Sequence, residues 1–376
     1  MSRNDAPSAQ RSSSHSPTLG GILLLCILLA PKSAWGQVIP VGAVLEQSPT
    51  PRSMSMGESC VALPEGAAAR WSNPASLTGC TGIEASYNYR SDDVAPTLSN
   101  SGFKSFAISI GSPLGALAVQ YTRYTTGPVA TDPSLQPGQT SEYLEHLLVV
   151  GGALFLVPGL SAGVEGKYFD VAIQNGSAGL HDDSSPSYLL GAGVIYDLPL
   201  FLNESEVIQH LYAGGSVQNV GTKGRLSETV GGQTMSYQTL TPEHLRLGVS
   251  YSCKVTEEHS LAPFEVKVTT EYRKVLNQDA AVSPGSDTWG FGAECTFFET
   301  LAIRGGGIIS GVAGVYADAN AVAPRFGAGV TLPLARLGMT VPITLRADYS
   351  IAWLAQSITY GTGSISAFSI GASTPL

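Results

Sequence analysis

Apolar and polar residues alternate with period two along fourteen stretches of this chain. In Leu245-Arg246-Leu247-Gly248-Val249-Ser250-Tyr251, one face carries Leu, Leu, Val and Tyr and the other carries Arg, Gly and Ser. A strand points successive side chains to opposite faces, so each such stretch has one apolar face and one polar face. Phe106-Ala107-Ile108-Ser109-Ile110 and Ile343-Thr344-Leu345-Arg346-Ala347-Asp348-Tyr349 show the same pattern. The pattern predicts strands near 83–90, 103–111, 115–123, 142–155, 160–172, 187–198, 209–220, 244–253, 264–274, 288–298, 300–310, 324–333, 342–351 and 365–372. Connections after odd-numbered strands are long: 91–102, 124–141, 173–186, 221–243, 275–287, 311–323 and 352–364. Those after even-numbered strands are mostly short, as at Ser112-Pro113-Leu114; 199–208 and 254–263 are the longer ones. Long loops at one end and short turns at the other are the signature of an outer-membrane barrel with both ends in the periplasm. A soluble β-sandwich has no need of that asymmetry.

Composition sharpens the choice. Charged residues are 13% of the chain, about half the usual share, and glycines number 43. Past the N-terminus no run reaches the roughly 18 apolar residues of a membrane helix. These features predict an all-β, transmembrane antiparallel β-barrel of about fourteen strands, in which only alternate residues meet lipid. The net charge of −9 and the lack of a Lys/Arg cluster exclude nucleic acid as a partner. Arg3 and Arg11, the apolar stretch 19–30 and Ala34-Trp35-Gly36 read as an export signal, residues 1–36, cleaved before Gln37. Cys26 lies inside that apolar stretch without the small residue before it that a lipid anchor requires. Cys60 and Cys80 have two open readings, a disulfide in an oxidising periplasm or two small unpaired side chains. Cys253 and Cys295 fall on apolar strand faces, as inert small hydrophobes.

A charge facing lipid at mid-depth costs about 2–4 kcal/mol. Glu165, Lys167, Arg246, Lys267, Glu271, Glu294, Arg304, Arg346 and Asp348 are therefore expected to face the lumen, where their mixed signs point to a paired network. A fourteen-strand lumen is wider than side chains alone can fill. The irregular segment 37–82 is the expected plug, and 83–376 the barrel. Within the plug, Asn73-Pro74-Ala75 reads as a cap followed by a first helical position, a corner packed on the wall beside Trp71 and Leu77.

The segment from Met56-Gly57-Glu58 through Ala67-Ala68-Ala69-Arg70-Trp71-Ser72-Asn73-Pro74-Ala75-Ser76-Leu77 resembles the N-terminal signature of the PorV/PorQ proteins, within the superfamily of FadL-type outer-membrane transporters. Asn219-Val220-Gly221, followed by Pro242-Glu243-His244-Leu245-Arg246-Leu247-Gly248, resembles a second family feature. Gly290-Phe291-Gly292-Ala293-Glu294 with Ala302-Ile303-Arg304-Gly305-Gly306 resembles a third. Where the family has an acidic pair, this chain keeps one carboxylate, Glu65. The chain also ends Ser373-Thr374-Pro375-Leu376, with Phe368 its last aromatic residue. The resemblance implies a component of type IX secretion that receives cargo and passes it to attachment proteins at the outer membrane. The alternative it implies is a FadL-like passive channel for hydrophobic small molecules, gated by Trp71, Asn73, Pro74, Ala75 and Leu77. Such a channel needs a lateral opening, for which Gly305-Gly306-Gly307 offers a kink or bulge. A purely structural barrel is the third reading.

No catalytic constellation emerges, so no enzyme activity is expected. Gly159-Leu160-Ser161-Ala162-Gly163 spells a nucleophile elbow but opens a strand where the elbow needs a helix. His181-Asp182-Asp183 and Glu257-Glu258-His259 read as solvated loop charge, and the six histidines lack metal spacing. No cofactor or metal is expected. The expected partner common to every reading is outer-membrane lipid.

Overall fold

The computed structural model describes residues 42–66, 70–93, 101–130, 140–175, 184–200, 207–230, 233–238, 241–255, 263–277, 287–310, 323–353 and 364–376. The expected export signal and the motifs at 181–183 and 257–259 lie outside them. The strands are β1 (Gly82–Asp93), β2 (Gly102–Ser112), β3 (Gly115–Ala130), β4 (Thr140–Val157), β5 (Leu160–Asn175), β6 (Ser184–Ser185), β7 (Ser187–Pro199), β8 (Val207–Gly221), β9 (Arg225–Val230), β10 (Gln233–Gln238), β11 (His244–Val255), β12 (Phe264–Val275), β13 (Thr288–Phe297), β14 (Leu301–Ser310), β15 (Ala323–Pro333), β16 (Thr344–Trp353) and β17 (Ser364–Thr374). Fourteen of them close into one antiparallel barrel, each beside its neighbour in the chain, with β17 paired to β1. Among the described residues no helix is long and apolar enough to cross a membrane.

Both barrel ends lie at the short-turn end, where Ile83 pairs with Thr374 and Gly82 with Gly111. The closing strand contains Phe368, which packs against Tyr87 and Tyr89, so only Pro375 and Leu376 extend past the sheet. The outward positions form an apolar wall: Leu117, Val164 and Leu190 are each about two-thirds exposed or more. Such a surface is stable only against lipid. The fold and this belt make the chain an outer-membrane barrel.

Three expectations are corrected. The long connections 173–186 and 221–243 are not plain loops: β6, β9 and β10 pair into a small antiparallel sheet of their own. Within the expected irregular segment 37–82, the 3-10 helix Pro74–Gly79 begins at the expected Asn73 cap, but α1 (Ala43–Glu46) and α2 (Pro51–Ser55) are further helical turns that the irregular reading did not include. Finally, β14 runs in unbroken register with β13 through Ser310 and with β15 through Ile308, so Gly305-Gly306-Gly307 makes no bulge.

Those glycines have another use. The backbone of residues 42–66 and 70–80 runs along the inner wall and meets it at glycines. A Cβ on Gly292 would sit 2.5 Å from the Met56 carbonyl oxygen, one on Gly306 2.8 Å from the Gly57 nitrogen, and one on Gly163 2.5 Å from the Pro74 carbonyl carbon. Only glycine permits that approach. The wall glycines thus seat an inner segment that runs from the long-loop end at Gly42 to the short-turn end at Cys80, which abuts Gly111.

Candidate functional site

Each expected lumen charge stands on the inward face of its strand. Arg246 is 1% exposed, Glu271 3%, and Glu165, Glu294 and Arg304 each 4%. Lys167 and Asp348 are also buried, while Lys267 and Arg346 are partly so. They pair with the inner segment as well as with each other. Arg52 of α2 donates to both oxygens of Glu294, at 2.8 and 2.6 Å, and forms a close ion pair with Glu65. Lys267 reaches Glu65 at 3.2 Å. Arg304 bridges Glu294 to Asp348, which also accepts from Arg346 Nε at 2.7 Å. A second knot joins Glu58 to Arg325 at 3.0 Å and to Arg273 at 3.7 Å. Buried charges persist only when paired in this way, because desolvation of a lone ion costs several kcal/mol.

The corner at residues 71–77 is tied to the wall at several points. Asn73 caps the 3-10 helix, its Oδ1 accepting from Ala75 N at 3.0 Å, with Pro74 in the first helical turn. Its Nδ2 donates to the carbonyls of Val61 at 2.8 Å and Val194 at 3.0 Å. The Arg246 guanidinium lies over the Trp71 ring, 4.1 Å from its centroid, and donates to Glu271 at 3.0 Å. Glu271 also accepts from the Val61 amide at 2.9 Å. Leu77 packs with Cys80, Ala116, Ala118 and Ala153. The four cysteines after the expected signal, Cys60 and Cys80 included, are free.

Lys167 owes its partners to an irregularity. The β7–β8 register shifts between Leu190 and Ala192, and Asn219 adopts φ 63°. The bulge leaves the adjacent residues Gln218 and Asn219 both buried. Lys167 Nζ donates to them at 2.6 and 2.8 Å and lies 3.0 Å from Glu165.

A further site carries no motif in the sequence. Near the long-loop end the lumen face turns apolar: Phe103, Tyr124, Tyr143, Leu147, Phe169 and Leu189 gather on β2, β3, β4, β5 and β7. Ala43, Val44 and Leu45 of α1 fill this surface. Below them Glu145, fully buried, accepts from the amides of Gly42 at 2.5 Å, Ala43 at 3.1 Å and Val44 at 2.9 Å, and from the Tyr143 hydroxyl at 2.8 Å. A wall carboxylate thereby satisfies the free donors at the start of a one-turn helix. A cavity of about 200 Å³ lies between α2 and the closing strands, lined by Arg52, Glu65, Glu84, Arg346 and Asp348 among others. No group of three or more metal-ligating side chains occurs among the described residues.

No family model matches the chain, and no curated protein matches it. Solved structures do. The toluene transporter TbuX of Ralstonia pickettii aligns at a TM-score of 0.51 and 12% identity, over 87% of this chain and 98% of that one. The toluene transporter TodX of Pseudomonas putida aligns at 0.52 and 12%, over 91% of this chain and 100% of that one. At such identity the likeness is one of fold, and it leaves the narrower PorV/PorQ resemblance resting on the motifs alone. The chain therefore shares its fold, a closed barrel of fourteen antiparallel strands, with both transporters over nearly their whole length.

Proposed function

We propose that this barrel is a passive outer-membrane channel for hydrophobic small molecules, with residues 42–80 as its plug. The carrying observation is the inward cluster of large apolar side chains around Phe103, Tyr143, Leu147 and Phe169, set in a lumen that elsewhere carries buried ion pairs and smaller apolar patches. Apolar side chains facing a wet lumen are unfavourable unless something covers them, and α1 does so here. A small aromatic molecule arriving from the external end would compete for the same surface. Burying one aromatic ring removes about 150–250 Å² from water, on the order of 4–6 kcal/mol. Lifting Val44 and Leu45 out costs about 1.5–3 kcal/mol each, and the Glu145 contacts are lost as well. The exchange is close to balanced, which gives weak binding and ready release, as transit requires.

The type IX reading needs the same barrel and rests on the motif resemblance. Both transporters aligned above are toluene transporters, and the apolar cluster suits a small molecule, so the channel is the stronger reading. The test is uptake of a hydrophobic fluorophore, N-phenyl-1-naphthylamine, by cells whose glycolipid outer leaflet excludes it. Cells carrying the protein should take it up several-fold faster than cells without it. Equal rates, with the barrel folded in the membrane, would remove the channel reading.

A further inference from the structure

On the outer wall, charge gathers where the lipid belt ends. Lys104 on β2 stands directly opposite Arg123 on β3, and Arg123 stands opposite His146 on β4. Lys104 and Arg123 are both exposed. Two residues toward the short turns, the same strands carry Phe106, Tyr121 and Leu148 in register, and Tyr168 and Tyr188 continue that row on β5 and β7. The two cations thus sit one step beyond an aromatic girdle on the long-loop side, the level of the outer-leaflet headgroups.

Like charges directly opposite on paired strands repel. Nothing in the fold forces this pair. Arg123 meets Glu142 only at 3.8 Å, and Lys104 has no ion pair among the described residues. His146 is held by the Tyr121 hydroxyl at 2.7 Å, and Asp170 faces it across β5. The arrangement becomes favourable when an anion lies between the two cations.

We propose that Lys104 and Arg123 form a docking site for a phosphate group of the outer-leaflet glycolipid. The guanidinium suits two phosphate oxygens and the ammonium adds a point charge. Position selects the lipid over a free anion: below the cations, Phe106, Ile108 and Val119 offer an exposed apolar track continuous with the belt, on which acyl chains can lie.

The test compares wild type with the Lys104→Gln/Arg123→Gln double variant, both purified from outer membranes and checked for heat-modifiable folding. The substituted side chains are exposed, so folding should be unaffected. Native mass spectrometry then follows rebinding of phosphorylated lipid A, dephosphorylated lipid A and inorganic phosphate. Wild type should bind the phosphorylated lipid roughly thirtyfold more tightly than the variant. It should bind the dephosphorylated lipid as weakly as the variant does, and inorganic phosphate should not compete. Equal binding by both proteins, or equal binding of both lipids, overturns the proposal. Competition by inorganic phosphate at matched concentration also overturns it, by assigning a free-anion site.

Discussion

Glu58 and Glu65 belong to the inner segment, yet most of their charge partners stand on the barrel wall. Burial pushes the Glu58 carboxyl up, but Arg325, Arg273 and Arg90 outweigh it and hold it below the ordinary range. Burial opposes ionisation of Glu65 too, and Arg52 and Lys267 win there. A carboxylate with a lowered folded value contributes its full stability above its unfolded value, about 4.3, and loses it as pH falls through the folded value. The contribution of these two carboxylates should therefore be lost in acid, and the urea midpoint, followed by tryptophan fluorescence, should drop as pH falls below about 4. A midpoint unchanged under acid would show that these pairs do not hold the segment. Asn73 is a second anchor. Asn73→Ala removes a cap and leaves the Val61 and Val194 carbonyls without this donor, a loss of about 1–3 kcal/mol. Trypsin should then cut faster at Arg70 while the barrel still migrates as a folded band; unchanged cleavage would mean the cap is dispensable.

Among the elements, the seat between α2 and the wall is the most sensitive to volume. Gly292→Val places a branched side chain where the Met56 backbone lies, and overpacking costs about 1–3 kcal/mol or more. The expected result is a closed barrel whose residues 42–66 exchange amide hydrogen rapidly; protection equal to wild type would contradict the seating role. The strands themselves were legible in the sequence because lipid on one side and water or charge on the other enforce period two. The small sheet of β6, β9 and β10 was not, because short strands clear of the membrane carry no such pattern. The glycines of β14 misled for a physical reason: a Gly run permits either a kink or a close backbone approach, and only the opposing segment decides between them. The apolar cluster was within reach. Glu165 and Lys167 fix the inward register of β5, so Phe169 and Val171 had to face inward as well. In β4, Leu147 through Val150 is apolar on both faces, which a lipid-facing strand does not need.

For the whole molecule, the asymmetry of loop lengths gave orientation and strand number together, since both follow from closing an even-stranded sheet with its ends on one side. Function was less legible. The motifs around Asn73 and Arg246 describe how an inner segment grips a wall, and that architecture serves a secretion component and a small-molecule channel alike. What separates the two is the chemistry of the surface that α1 covers, set by side chains from five strands far apart in sequence. The most direct test is photolabelling with a toluene-sized aryl diazirine, with excess toluene as competitor and the adducts mapped by peptide mass spectrometry. The channel account predicts label on Phe103, Tyr143, Leu147 or Phe169 that toluene displaces, beside label on the outer belt that it does not. Label confined to outward-facing residues, unaffected by toluene, would contradict it.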